Sequence, residues 1–175
     1  DVALQSNKKF WFDCDKCPHE FESSLSAVSG GRWCLYCANQ KRCDKEDCQH
    51  CYNNSFASYN GKTLSGKNKV DCWSVKNPEK PRDVALNTHT KFCFDCDKCP
   101  HDFECALNKI NGGGWCPYCS GHIICYNEDC EYCFNKSFAN CNGKTPSGNN
   151  VIDRWSDKNP QKPRDVSICN GKKIW

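Results

Sequence analysis

The chain has 175 residues, with 24 lysines and arginines against 21 acids, 19 cysteines and a formal charge of +3. No stretch approaches the roughly 20 apolar residues of a membrane-spanning helix, so no membrane partner is expected; the absence of a signal-peptide pattern says little in a sequence that begins inside a repeat. Long aliphatic side chains are few, and a unit this polar buries too little surface to offset its chain entropy without crosslinks or metals.

The order of elements is set by a repeat. Residues 1–82 match residues 83–164 without a gap at 48 of 82 positions, and a third copy opens at Asp165. The expected units are therefore 1–82, 83–164 and the start of a third copy at 165–175, with the whole being a segment of a longer array. In the first copy, KFWFD (9–13) alternates like a strand and leads into the tight turn Cys14-x2-Cys17. The segment HEFESSLSAVSGGRW reads as a short hairpin bent at Gly30–Gly31, with Gly112 to Gly114 as its counterpart. It returns the chain to Cys34-x2-Cys37. A second cluster, Cys43-x4-Cys48-x2-Cys51, follows, and then Phe56–Ala57, expected to dock onto the neighbouring unit. NGKT at 60–63 lacks a glycine at position 56 and reads as a turn rather than a phosphate loop. The linker 76–82 (KNPEKPR) is stiffened by proline and cannot be a regular helix. Trp73 and Trp155, with Trp33 and Trp115, are expected to build small apolar centres between the cysteine clusters.

Seven cysteines of the first copy keep their register in the second. Cys14, Cys17, Cys34, Cys37, Cys43, Cys48 and Cys51 match Cys96, Cys99, Cys116, Cys119, Cys125, Cys130 and Cys133. An odd number cannot close into bridges within a copy, and five further cysteines do not repeat, which speaks against a disulfide framework. The spacing C-x2-C-x16-C-x2-C falls in the range of a four-cysteine zinc site. One histidine, His19, also keeps register, as His101, and brings each copy to eight donors, the number two tetrahedral zinc ions require. About four Zn2+ per chain follow. The fourth ligand of the three-cysteine clusters stays open among His19 and His101, Asp47 and Asp129, and Asp71 and Asp153. His50 is a poor candidate because Tyr132 replaces it.

Trp73, Lys76, Asn77, Pro81, Val84, Cys96, Cys99, His101, Phe103, Trp115, Cys116, Pro117 and Cys119 carry a recognisable pattern: a tryptophan and "KN" opening, C-x-x-C-x-H, and a closing C-P-x-C. In these residues the chain resembles the probable zinc-ribbon, treble-clef-like tandem repeat family, in the version found in large DNA viruses and some fungi. Cys34-Leu35-Tyr36-Cys37 departs from the C-P-x-C form with its cysteines intact. The resemblance implies small metal-stabilised domains: tandem zinc-ribbon or treble-clef-like repeats with short β-hairpins and short helices, stacked as an elongated array.

The functional expectation is a non-enzymatic zinc-binding repeat acting as a structural or protein-interaction scaffold, a virion component among the options. Its partners would be neighbouring repeats and other proteins, with no small-molecule substrate. The alternative is a nucleic-acid-binding array, with Lys76, Lys80 and Arg82 beside Lys8 and Lys9 as a basic stripe. Thiolate ligands weaken that alternative. Two four-thiolate zinc sites carry −2 each and two three-thiolate sites −1 each, which turns the formal +3 into −3. Nucleic-acid binders concentrate positive charge. Reduced thiols place the protein in cytoplasm, nucleus or a particle assembled there.

Overall fold

A computed structural model describes residues 8–168. The part of the third copy beyond Ile168, with the unmatched Cys169, lies outside the described residues.

Each copy contributes one two-stranded antiparallel hairpin. β1 (Lys9–Asp13) pairs with β2 (Glu20–Ser24), setting Phe12 opposite Phe21. β3 (Lys91–Asp95) pairs with β4 (Asp102–Ala106), setting Phe94 opposite Phe103. The aromatic alternation puts Phe10 and Phe12, or Phe92 and Phe94, on one face of the pleat. The tip of each hairpin is the C-x2-C turn, closed by Cys14 N–H donating to His19 O at 3.1 Å and Cys96 N–H to His101 O at 3.0 Å.

This corrects the hairpin read at Gly30–Gly31. After β2 the chain turns into the short helix α1 (Leu25–Ser29), and after β4 into α3 (Leu107–Asn111). Ser24 caps α1, its Oγ accepting from Ala27 N–H at 3.2 Å. The glycines end these helices instead of reversing a hairpin. Gly30 N–H returns to Ser26 O, and Gly31 and Gly113 take φ of 82° and 92°, the left-handed conformation that glycine adopts without strain. A double glycine serves either purpose, and helices of five residues are too short to show a 3.6-residue period. Two further short helices, α2 (Gln49–Asn53) and α4 (Glu131–Phe134), carry the last cysteine of each C-x4-C-x2-C run.

The main core is built across the two copies. Phe56, from the first, is fully buried against Phe92, Phe94, Phe103, Leu107 and Ile110 of the second, with Trp73 and Tyr59 packed alongside. Burying a phenylalanine of this kind contributes on the order of 1.5–3 kcal/mol. Polar latches fix the junction. Tyr59 Oη donates to Ile110 O at 3.0 Å. Lys69 Nζ donates to Ile110 O and Gly114 O at 3.3 and 3.1 Å and lies over the Trp115 ring. Ile110 O, in the last turn of α3, also accepts from Gly113 N–H, and Gly114 O lies just beyond the helix. Asn77 pairs with both backbone groups of Cys93, at 2.7 and 2.8 Å. The expectation that Phe56 docks onto the neighbouring copy describes this packing. Around the first hairpin the core is smaller: Cys17, Phe21 and Cys34, with Phe12 and Tyr36 against them. Trp33 stands edge-on to Phe12 and Phe21.

Among the described residues, no helix is long and apolar enough to cross a membrane.

Candidate metal centres

Among the described residues, four clusters of four donors form, two in each copy. Cys14, Cys17, Cys34 and Cys37 come together, as do Cys96, Cys99, Cys116 and Cys119; in each cluster all donor atoms lie within 4.8 Å of one another. The hairpin tip supplies two of the cysteines, and the turn beyond α1 or α3 supplies the other two. The other two clusters are His19 with Cys43, Cys48 and Cys51, and His101 with Cys125, Cys130 and Cys133, within the same limit.

The spacings fit zinc. With Zn–S near 2.3 Å, the edge of a four-sulfur tetrahedron is ~3.8 Å, and with one nitrogen near 2.0–2.1 Å the S···N edge is ~3.5 Å. The measured separations are 3.6 Å for Cys14–Cys37 and Cys17–Cys34, 3.5 Å for Cys96–Cys119 and 3.6 Å for Cys99–Cys116. His19 Nε2 lies 3.3 Å from Cys48 Sγ and 3.5 Å from Cys51 Sγ, and His101 Nε2 lies 3.5 Å from both Cys130 and Cys133. A disulfide would need sulfurs about 2.05 Å apart, and every cysteine among the described residues is free.

Electrostatics point the same way. Burial, reinforced by the neighbouring thiols, pushes Cys17 well above the ordinary thiol range. Burial likewise pushes Cys99 far up, and Cys116 up to about 12. At Cys14 the effect of burial is outweighed by the Lys16 amide and the facing thiols, which bring it down to about 7. At Cys125 burial is outweighed by the His101 ring, Cys133 and the Asn127 backbone, giving about 6. Thiols in mutual contact cannot all shed their protons unaided; a divalent cation supplies the charge that lets them.

Backbone amides support the sulfurs. Lys16 N–H points at Cys14, Cys43 N–H at Cys51 and Cys125 N–H at Cys133, each at 3.4 Å. The two clusters of a copy adjoin. His19 Nδ1 lies 3.2 Å from Cys17 Sγ, and in the second copy Tyr132 Oη donates to Cys119 Sγ at 3.2 Å. Tyr36 and Tyr118 stack on His19 and His101 with ring centres 4.1 and 4.2 Å apart.

Other candidates are placed elsewhere. Asp71 and Asp153, exposed in short 3-10 turns, accept from Asn68 and Asn150, and neither they nor Asp47 or Asp129 join a cluster. His50 packs edge-on to His19 and lies within reach of Cys17 and His19. Its counterpart Tyr132 occupies the same seam. Two members of the basic stripe have partners within the chain. Arg82 Nη2 donates to Lys45 O and Cys48 O at 2.9 and 3.4 Å, and Lys76 pairs with Asp102 at 2.7 Å. Arg164 repeats the arrangement on Asn127 O and Cys130 O. These arginines brace the C-x4-C loops from the following linker. The in-register K-P-R of both linkers carried that signal, while the carbonyls that answer it are invisible in sequence.

Residues 1–40, which contain the first four-cysteine set and His19, match the family model described as a probable treble clef zinc finger domain. The uncharacterized protein R635 of Acanthamoeba polyphaga mimivirus is 33% identical over 172 residues, covering 94% of this chain. The chain spans 38% of that relative's length. No solved structure matches. With hairpin-borne C-x2-C turns, short helices and four Cys/His clusters, the chain is a tandem array of treble-clef-like zinc-binding modules, similar to a probable treble clef zinc finger domain and to a protein of a large DNA virus.

Proposed function

We propose that the chain is a non-enzymatic structural array that holds four zinc ions and works by protein contact. Cys14, Cys17, Cys34 and Cys37 would hold one ion, and His19, Cys43, Cys48 and Cys51 a second; the in-register residues of the copy at 83–164 would hold the other two. The observation that carries this reading is that the four in-register clusters each present four donors. Structural zinc sites are closed in this way, whereas catalytic ones keep a position open for water or substrate. Zinc bound here would supply no Lewis-acid chemistry; it would crosslink segments that have little core of their own.

Protein contact is favoured over nucleic acid by where the cations are. Arg82 and Arg164 are turned onto loop carbonyls, and Lys69 is buried in the junction between copies. Phe12 packs edge-on to Trp33, Phe56 against Trp73 and Phe94 edge-on to Trp115 within the cores, so these rings do not form an exposed platform for bases. Heparin chromatography of the zinc-loaded chain tests this. The scaffold reading predicts flow-through at low salt; retention with steep salt-dependent elution would overturn it in favour of nucleic acid.

A further inference from the structure

Arg82 lies in the linker between the copies, and Arg164 keeps its register in the second linker. A guanidinium carries five N–H donors in a rigid fork. Nη2 of each arginine is directed at a C-x4-C loop: Lys45 O and Cys48 O for Arg82, Asn127 O and Cys130 O for Arg164. One carbonyl of each pair belongs to a cluster cysteine. The Nε and Nη1 atoms of both arginines are buried with no hydrogen-bond partner among the described residues. Buried donors of a cation are costly to leave unmet, and the same atoms are unmet in both copies.

In the first copy, Arg82 faces the cluster itself. Burial would raise the Cys43 thiol, but the Lys45 backbone, Cys48, Cys51 and the Arg82 guanidinium together hold it below its ordinary value. Arg82 also reaches His19, whose affinity for a proton is lowered first by burial and then by the charges of His50, Lys45 and Arg82. Three thiolates, a neutral imidazole and Zn2+ sum to −1, and one arginine beside them offsets that charge.

The same arginine lies in the run that seats the next copy. Ala57 N–H donates to Pro81 O at 3.1 Å, Phe56 N–H to Val84 O at 2.9 Å and Leu86 N–H to Asn54 O at 3.2 Å. These bonds clasp residues 54–57 against 81–86, and from that clasp Phe56 enters the core of the second copy. Phe138 N–H on Val166 O at 2.7 Å and Ile168 N–H on Lys136 O at 3.0 Å repeat the clasp beside Arg164.

We propose that Arg82 and Arg164 are positioning residues of the three-cysteine sites. Their unmet N–H groups donate to cluster thiolates when zinc is bound, Cys43 in the first copy and its counterpart Cys125 in the second. Each linker is thereby fastened to a loaded site, and zinc in the cluster sets the clasp that seats the following copy. This rests on the reading that these clusters hold zinc.

Zinc release from the fully loaded chain tests the proposal. Native mass spectrometry gives the count, a chromogenic chelator the rate, and mapped alkylation by iodoacetamide the cluster that opens. Arg82→Gln should still bind four ions in excess zinc. It should release one of them about 10-fold or more faster, with Cys43, Cys48 and Cys51 the cysteines newly alkylated. Arg164→Gln should do the same at Cys125, Cys130 and Cys133. Arg82→Lys keeps the charge but lacks the fork, and should recover only part of the retention. Amide hydrogen exchange reads the clasp: Phe56 and Ala57 should exchange faster in Arg82→Gln than in wild type, with zinc still bound. Release unchanged in both glutamine variants overturns the proposal and leaves the arginines as braces of the loops alone. Faster release from all four clusters together overturns it too, as a general loosening. Faster release with unchanged exchange at Phe56 and Ala57 overturns the tie to the linker. A wild-type chain that binds only two ions overturns the zinc reading of these clusters, and the proposal with it.

Discussion

His19 turns its two ring nitrogens to different clusters. Nε2 faces Cys48 and Cys51, and Nδ1 faces Cys17 at 3.2 Å. An imidazole that ligates through Nε2 carries its proton on Nδ1, so the same ring would donate to a thiolate of the adjoining site. The second copy makes its link with a different residue, Tyr132 Oη on Cys119. On the proposed ligation, His101→Ala should lower the zinc count by one in native mass spectrometry, and His101→Cys should restore it. Tyr132→Phe should keep all the zinc but release the ion of the second four-cysteine cluster about 10-fold or more faster to a competing chelator, the usual cost of losing a hydrogen bond to a ligand. An unchanged release rate would place Tyr132 outside the support of that site.

At the level of elements, the second hairpin depends on residues such as Phe56 that precede it by dozens of positions. Phe56→Ala empties a fully buried site and should cost about 3–5 kcal/mol, unfolding the second hairpin although the substitution lies in the first copy. Phe138→Ala, at a half-buried site, should cost less than half as much; urea titration of the two variants compares them. Lys69→Met should cost about 1–3 kcal/mol by removing the Lys69 donor from Gly114 O, while Ile110 O keeps Tyr59 Oη and Gly113 N–H. Strands such as KFWFD were legible because period-2 alternation shows within five residues, and the cysteine sets because their register repeats. Helices α1 and α3 were not legible, because five residues do not complete a periodic pattern and the glycines that end them resemble a hairpin turn. Nor were the partners of Tyr59, Lys69 and Arg82, which are backbone carbonyls 34 to 51 residues away and carry no side-chain signature.

For the whole molecule, candidate metal clusters and packing alternate along the described residues: each copy carries two four-donor clusters, and an aromatic junction joins the first copy to the second. Stability should therefore be distributed among neighbours, with removal of zinc loosening every junction rather than one domain. The central claim is that four closed sites hold the chain together, and native mass spectrometry of protein purified without chelator, beside its denatured mass, tests it most directly. Four zinc ions per chain is the predicted result. Two ions, or a metal-free chain about two daltons lighter for each pair of cysteines, would contradict it: the first by confining metal to half the clusters, the second by replacing the metal with disulfides.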